Sequence, residues 1–434
     1  MNVFQKGDKK TLFAWAFYDW ANSVYALVIS SSIFPLYYGA LFRERELNSY
    51  LIFGKELPSE TIISYVTSLG FLLIVLISPI LSGIADYLGN KKFFLRLFCW
   101  IGSLSCMLLY FFSLENMLIS LFVYMMALIG FWGSLVFYNS YLPDIAFPEQ
   151  QDKISAKGYA LGYVGSVILL ILNLFMLMNY DLFGFASEMD AMRISFVLVG
   201  LWWLGFSQYT YKYLPDFKNT NTISKNVVFS GFKELKKVLE MLKDHPVLKK
   251  YLVAFFTYSM AVQTVMIIAV YFGEKEIQWA SDSQRTMGLI VSILVIQLVA
   301  IGGAYLISFV SSKIGNINAL IVVNVLWVFI CFYAYTIITP NEFYVAAACV
   351  GMVMGGIQSL SRSTYSKLLP DTTDTTSFFS FYDITEKLGI VIGMILYGYI
   401  ADFTGEMQNA ILFLIVFFVI GIVLLSRIPK QDRI

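Results

Sequence analysis

Long apolar runs separated by short polar intervals dominate the sequence of this 434-residue chain. Most runs are about 20 residues long or somewhat longer, the length an α-helix needs to cross the hydrocarbon core of a bilayer. The pattern therefore predicts an all-α polytopic membrane protein with twelve transmembrane helices. The spans lie at approximately residues 12–38, 61–84, 93–113, 117–141, 157–179, 192–213, 249–272, 286–311, 317–338, 342–367, 377–401 and 408–427.

The longest polar interval follows the sixth span and divides the chain into two sets of six. It contains an amphipathic stretch, FSGFKELKKVLEMLK, which we expect to be a solvated or surface-lying linker helix rather than a binding module. Its apolar positions at helical spacing are Phe232, Leu235, Val238, Leu239 and Leu242. The predicted domains are an N-terminal six-helix bundle at residues 1–214, a linker at 215–248 and a C-terminal six-helix bundle at 249–434.

Composition and the distribution of positive charge support a membrane location. Charged residues make up 14% of the chain, against about 25% in typical soluble domains. Lysine and arginine are concentrated in the tails, the linker and every second loop. By the positive-inside rule, both termini and the linker are predicted to be cytoplasmic, in the cell (inner) membrane. The formal net charge of +1 gives no indication of a nucleic-acid partner.

The residues needed for other classes of chemistry are sparse. The four cysteines all lie in apolar runs without CxxC spacing, and the single histidine, His245, lies in the linker beside Pro246. The sequence has no metal-spaced acid cluster, no nucleophile–base arrangement and no nucleotide-binding loop. We therefore predict no cofactor, no metal and no enzymatic activity.

Short segments recur in the two halves of the chain. A hydrophobic–Gly–Asn core follows the second span at Leu88–Asn90 and the eighth at Ile314–Asn316. Leu-Pro-Asp ends the fourth span at Leu142–Asp144 and the tenth at Leu369–Asp371. Parallel six-helix repeats of this kind are typical of major-facilitator transporters, which predicts two pseudo-symmetric bundles.

Charged and polar residues interrupt the apolar pattern between Gly355 and Lys387. Each charge at the centre of a spanning helix costs about 3 kcal/mol on insertion scales, so these side chains must face one another or a wet cavity. On the tenth and eleventh spans they are Gln358, Arg362, Asp383, Glu386 and Lys387. Asp19 on the first span lies at a similar predicted depth, and the five charged residues suggest a nearly balanced ring suited to a zwitterionic or small polar solute, or a self-neutralising network.

The roles of these residues remain open at the level of sequence. Arg362 offers a planar fork that would bind a solute carboxylate, or it pairs with Asp19 or Asp383. Asp19 is a protonatable carboxylate on a cavity wall or a structural ion-pair partner, and Asn22 shares its helix face. Other polar candidates, each of which could equally be a buried interhelical hydrogen bond, are Tyr138, Asn139 and Gln263.

The turn SGIADYLGNKK after the second span resembles the loop motif of the major facilitator superfamily. Asp86, Gly89 and Lys91 match it, and in that family the acidic residue is thought to latch the cytoplasmic gate. Three further segments resemble the vacuole-effluxer-like family, bacterial relatives of the yeast vacuolar amino-acid effluxer. They are AFYDWANSVYA, FYNSYLPDIA with KGYALGYVG, and GGIQSLSRSTYSKLLP with FFSFYDITEKLG.

The resemblance implies an amino-acid transporter, with one departure. Members of the family often carry an acidic residue followed by glycine in the seventh span, where this chain has Met260 and Ala261. Coupling to H⁺ or Na⁺ would then rest on Asp19 or be absent. The residues favour a monomeric secondary or facilitative transporter of a small polar solute; the alternatives are a non-transporting solute sensor or a carrier of lipid or another solute on the same fold.

Overall fold

The computed structural model describes residues 4–217 and 227–429. Within those residues it has twelve helical spans long and apolar enough to cross a membrane, which confirms the predicted number and order. The N-terminal half contains α1 (Lys9–Val24), α2 (Ile33–Arg43), α3 (Ser59–Leu88), α4 (Lys91–Leu108), α5 (Met117–Asn139), α6 (Leu142–Ile145), α7 (Pro148–Met178) and α8 (Glu188–Tyr213). The rest comprises α9 (Val227–Asp244) in the linker, then α10 (Pro246–Glu276), α11 (Asp282–Ile314), α12 (Asn316–Thr336), α13 (Pro340–Leu368), α14 (Thr375–Thr404) and α15 (Met407–Ser426).

The first span, predicted as a single helix, is interrupted. A π-helical segment, Tyr25–Ser30, separates α1 from α2. The Ser31 and Ser32 hydroxyls donate to the carbonyls of Ala26 and Leu27 at 2.9 and 2.6 Å. Pro35, in the first turn of α2, has no N–H to donate backwards. Serine hydroxyls thus bond backbone carbonyls of the preceding turn, and the proline removes one backbone donor. Interruptions of this kind produce kinks in helices.

A two-stranded hairpin lies in the loop between the first two spans, where the sequence predicted only a loop. Strands β1 (Ser49–Ile52) and β2 (Lys55–Pro58) pair antiparallel around a two-residue turn. Phe53 and Gly54 both have positive φ, at 48° and 77°, as a type I′ turn requires. Phenylalanine is unusual at such a position, so the sequence carried little signal for this turn.

Each half of the chain has its own apolar core, and together they form two six-helix bundles. One cluster of buried residues runs from Leu12 to Leu214, and the other lies mainly between Leu248 and Ile428. The bundles meet where α3 contacts α14 and where α7 contacts α11 and α13. Side chains at these three helix contacts therefore determine how the bundles are held together.

The two termini of the N-terminal bundle and the linker lie at one end of the molecule. The rings of Phe4 and Phe217 are 5.6 Å apart, and the Lys237 ammonium in α9 donates to Asp374 at the start of α14 at 2.6 Å. We call this end the linker side and the opposite end the outer side.

The linker helix α9 is docked rather than free in solvent. Val238 is fully buried and Leu242 is partly buried against the core of the C-terminal bundle, whereas Leu239 is exposed. The side chains of Phe232 and Leu235 lie outside the described residues. α9 thus lies along the protein surface, which is one of the two predicted arrangements, with part of its apolar stripe packed on the protein.

Candidate functional site

Arg362 joins the two bundles near the linker side. It lies six residues before the end of α13, or about 9 Å at the rise of an α-helix, and its side chain is 2% exposed. Nη1 and Nη2 donate to Asp19 Oδ2 at 3.3 and 3.2 Å, Nη1 also donates to Asn139, and Nε and Nη2 donate to the Ser155 hydroxyl and carbonyl. A guanidinium has five N–H donors, and all five are directed at acceptors of the N-terminal bundle.

Aromatic rings and a glycine complete the surroundings of this ion pair. The guanidinium lies 4.7 Å from the Trp15 ring centroid and 4.3 Å from that of Tyr159, within cation–π range. The Tyr138 hydroxyl donates to Asp19 Oδ2 at 2.8 Å. A Cβ at position 158 would lie 2.4 Å from the same oxygen, so Gly158 allows α7 to approach the carboxylate. We call Arg362, Asp19, Tyr138, Asn139 and Ser155 the bridge.

A second group of charges lies within α14. Lys387 is 1% exposed and pairs with Asp383 and, at 3.4 Å, with Glu386. Its ammonium also lies 3.9 Å from the Trp132 ring centroid on α5. The Gln263 amide on α10 donates to Glu386 Oε1 at 2.8 Å. We call Asp383, Glu386 and Lys387 the α14 triad.

The five predicted charges therefore do not form one ring. Arg362 pairs with Asp19 rather than Asp383, and the triad pairs within its own helix. Sequence spacing identified the members of both groups but could not assign their partners. The sequence signal for Ser155, Tyr159 and Trp132 was weak, because hydroxyl and aromatic residues are common throughout these spans.

A small cavity of about 20 Å³ lies between the two groups of charges. Its aromatic wall is formed by Tyr159, Phe255, Tyr258 and Tyr382. Gln263, Gln358, Ser361 and Glu386 provide its polar lining. In this conformation it is far smaller than a small-molecule pocket of about 300–1,000 Å³, so a solute would fit only after these helices have moved apart.

Two of the remaining predicted site residues lie apart from the charges. The side-chain oxygen of Gln358 accepts a hydrogen bond from the Tyr163 hydroxyl at 2.8 Å. Among the described residues, the only acceptor near its side-chain nitrogen is the Met266 sulfur at 3.7 Å. Asn22 is buried, and among the described residues its only side-chain hydrogen bond is a long one, 3.4 Å, from Ser23. The structure thus brings Gln358 to the cavity and leaves Asn22 in the packing of α1.

The predicted gating residues make contacts between the bundles. The Asp86 carboxylate, at the end of α3, accepts the backbone N–H groups of Thr376 and Ser377 at 3.1 and 2.7 Å. These N–H groups lie in the first turn of α14 and have no acceptor within the helix, and the helix dipole also favours an anion there. Gly89 ends α3 with a φ of 63°, a left-handed conformation that glycine adopts readily.

Lys91, at the start of α4, completes the same contact region. Its ammonium donates to the Ser140 carbonyl at 3.0 Å and to the Thr375 hydroxyl at 3.1 Å, and it pairs with Asp144. Asp86 and Lys91 together connect the N-terminal bundle to the first residues of α14. We call this region the α14 latch.

A related contact on the other side of the interface was not predicted. Asp152, near the start of α7, accepts from Lys367 at 2.5 Å and from Asn316 at 2.8 Å. Asn316 begins α12 and belongs to the repeated hydrophobic–Gly–Asn segment, so the repeat was a signal for it. The sequence carried no comparable signal for the pairing of Lys367 with Asp152. We call these three residues the α7 latch.

Comparisons with known proteins agree with this architecture. A family model described as vacuole effluxer Atg22 like matches residues 7–433. The chain is 30% identical over 424 residues to the uncharacterized MFS-type transporter YxiO of Bacillus subtilis, covering 96% of this chain and 94% of that one. It is 25% identical over 484 residues to autophagy-related protein 22-2 of Aspergillus niger, covering 90% and 80%.

Among solved structures, the E. coli fucose:proton symporter FucP has the same fold. The TM-score is 0.69 at 15% identity, and the match covers 97% of this chain and 98% of FucP. At that identity the similarity speaks for the fold alone. It confirms the predicted major facilitator fold with two pseudo-symmetric six-helix bundles.

Proposed function

Because the chain belongs to the vacuole effluxer Atg22-like family of major-facilitator-type transporters, we propose that it moves a small polar organic solute, such as an amino acid, across the cell membrane by alternating access. The character of the family as vacuole-effluxer-like and the polar cavity between the bundles support this proposal. The fold and the relatives are those of transporters, and we propose no catalytic step.

The observation that carries the proposal is the bridge, a buried ion pair that crosses from one bundle to the other below a cavity. Asp19 belongs to α1 and Arg362 to α13. If the bundles separate at the linker side, this pair must break. Removing one partner of a buried pair typically costs about 3–5 kcal/mol, so separation requires another group to replace the lost contact.

We propose that residues 1–214 and 249–434 are the units that move, with residues 215–248 as the connection between them. The bridge and both latches join these units at the linker side. The concentration of lysine and arginine on that side supports its being cytoplasmic. The conformation described here would then be closed toward the cytoplasm, in a protein that acts as a monomer.

We also propose a small-molecule solute with coupling to H⁺ or, alternatively, to Na⁺. FucP is a fucose:proton symporter, so proton coupling occurs on this fold. In this chain Met260 and Ala261 are buried apolar residues of α10, and they cannot carry a proton. Asp19 is then the first candidate, because it lies in the bridge that opening would break.

The test is uptake by proteoliposomes that contain the purified protein. Radiolabelled amino acids would be screened one at a time, with no gradient, with a pH gradient and with a Na⁺ gradient. We expect saturable uptake of at least one amino acid and its loss in Arg362→Gln. An uptake rate that does not change with the pH gradient or the Na⁺ gradient would indicate facilitated diffusion.

The control is a reconstituted variant on the lipid-facing surface, Gly398→Ala, where an added Cβ meets open space. It should transport like the unaltered protein. Absence of uptake for every solute by correctly folded protein would overturn the proposal. Unchanged uptake kinetics in both Arg362→Gln and Asp19→Asn would show that the bridge has no part in transport.

A further inference from the structure

The charges around the cavity are not balanced. The bridge pairs one arginine with one aspartate, whereas the α14 triad has two carboxylates and one ammonium. With these groups ionised, the surroundings of the cavity carry a net charge of −1. A buried charge without a counter-charge is costly, so a cationic group in the cavity would be stabilised.

Glu386 is the member of the triad that faces the cavity. Its side chain is 18% exposed, against 6% for Asp383 and 1% for Lys387. Of the described residues that line the cavity, Glu386 alone carries a charge. An entering solute therefore meets one carboxylate, and that carboxylate shares its lysine with Asp383.

The neutral lining of the cavity also suits a cation. Four aromatic side chains form its wall, and the rings of Phe255 and Tyr382 stack with centroids 4.2 Å apart. Aromatic faces attract ammonium groups through their quadrupoles. The same faces provide apolar area for the remainder of a small molecule.

We propose that Glu386, held in place by Gln263, binds the amino group of the transported solute. This inference rests on the proposed transport function and assigns one contact of its binding site: Glu386 would take a primary ammonium group and discriminate against solutes in which that group is blocked. The Gln263 amide donates to Glu386 Oε1, which leaves Oε2 to be shared between Lys387 and the ligand. Gln263 is a positioning residue here.

The opposite end of the solute has a neutral partner. The amide nitrogen of Gln358 has only a sulfur at 3.7 Å as acceptor, so one of its N–H groups is available for a solute carboxylate or carbonyl. The donors of Arg362 are all directed at the N-terminal bundle in this conformation. The carboxylate of a bound amino acid would therefore meet Gln358 before it could meet Arg362.

The test compares ligands that differ only at the amino group. Unlabelled competitors against the best labelled amino acid would be the amino acid itself, its N-acetyl derivative and its methyl ester. Loss of a hydrogen bond to a charged group reduces binding roughly 10–100-fold. We expect the N-acetyl compound to compete at least about tenfold more weakly, and the methyl ester to stay within a fewfold of the amino acid.

Two variants assign this preference to a residue. In Glu386→Gln the KM for the amino acid should rise about tenfold or more, while inhibition by the N-acetyl compound should stay the same. Glu386→Asp, which keeps the charge, should restore part of the affinity. The matched control is Asp402→Asn, an exposed acid on the same helix, whose kinetics should not change.

The outcomes separate this inference from the proposed function. Transport by the unaltered protein with equal competition by the N-acetyl compound would overturn the amino-group site and leave the transporter intact. A Glu386→Gln variant that loses only its response to a pH gradient, with ligand preference intact, would overturn it in favour of a proton site. Absence of any transport would instead count against the proposed function. The comparison of competitors needs no variant, so misfolding of Glu386→Gln leaves the inference testable.

Discussion

The bridge and the α14 triad are both buried groups of charge, but they connect different things. The bridge joins α1 to α13, so its two charges belong to different bundles. The triad is confined to α14, and its Lys387–Asp383 pair has the i, i+4 spacing that one helix supplies by itself. The bridge is neutral as a pair, whereas the triad carries one unbalanced negative charge.

This difference distinguishes a contact that depends on conformation from one that does not. Two groups on separate rigid bodies keep their distance only while the bodies keep their arrangement. Groups on one helix move together and stay paired in every arrangement. We therefore expect changes in the bridge to alter which conformation is populated, and changes around the triad to alter how tightly a solute binds.

Arg362→Gln should have the largest effect, because it leaves the Asp19 carboxylate buried without its ionic partner. The expected loss of stability is about 3–5 kcal/mol, measured as a lower Tm of the purified protein in detergent. Asp19→Asn combined with Arg362→Gln removes both charges and should recover part of that Tm. A double variant that is less stable than either single variant would contradict the pairing.

Gly393→Ala should have the next largest effect, and it acts on the triad side of the comparison. An added Cβ would lie 2.2 Å from the Thr264 hydroxyl and 3.0 Å from the Met260 carbonyl on α10. Overpacking of this kind costs about 1–3 kcal/mol. Because α10 also carries Gln263, we expect a lower Tm together with a higher KM for the solute.

The control for this change is on the same helix. Gly398→Ala meets nothing within 4 Å, and alanine has the better helix propensity by about 1 kcal/mol. Its Tm should be equal or slightly higher. Equal Tm values for the two variants would show that α10 and α14 are not as close at Gly393 as described.

Asp86→Asn should shift the conformational equilibrium with little effect on solute affinity. The neutral amide keeps one acceptor oxygen but loses the charge at the start of α14. Hydrogen bonds to charged groups contribute about 1.5–3 kcal/mol, so linker-side opening should increase roughly tenfold or more. The measurement is the rate at which an impermeant maleimide labels a cysteine placed at Ser359, which is buried between the bundles.

A neighbouring acid provides the control for the α14 latch. Asp371→Asn changes an exposed carboxylate in the same connection and should leave the labelling rate unaltered. Faster labelling in both variants would attribute the effect to the loop as a whole. Asp152→Asn in the α7 latch should act in the same direction as Asp86→Asn.

Trp132→Leu should have the smallest effect of the series. It removes the ring beside Lys387 but leaves the ion pair with Asp383 in place. A cation–π contact contributes about 1 kcal/mol, so we expect a small fall in Tm and near-normal transport. Trp100→Leu, at an exposed position of α4, is the control, and an equal fall in both would remove any special role for Trp132.

The sequence predicted the spans well and the pairings poorly, for a physical reason. The length of an apolar run is enough to define a spanning helix, so all twelve spans could be located from hydropathy alone. Which acid Arg362 contacts depends on how α1 and α13 pack, and those helices are separated by more than 300 residues. Only a repeat or a family motif carries such information, which is why Asp86 was found and Asp152 was not.

Local departures from regular structure were equally difficult to predict. The break at Tyr25–Ser30 lies within a strongly apolar run, and the serine and proline signals near it are weak by themselves. The hairpin turn places a phenylalanine at positive φ, against ordinary preference. At the break the replacement hydrogen bonds come from two serine hydroxyls, and at the hairpin the turn connects two paired strands. Hydropathy records neither feature.

All five N–H donors of Arg362 are occupied, and this links the binding of a carboxylate to the separation of the bundles. Any carboxylate that binds this guanidinium must first replace acceptors of the N-terminal bundle, so it binds tightly only where the bundles have moved apart. By thermodynamic linkage, the factor by which separation strengthens that binding equals the factor by which the bound carboxylate favours separation. A solute anion would thereby act as an effector of the same movement that carries it.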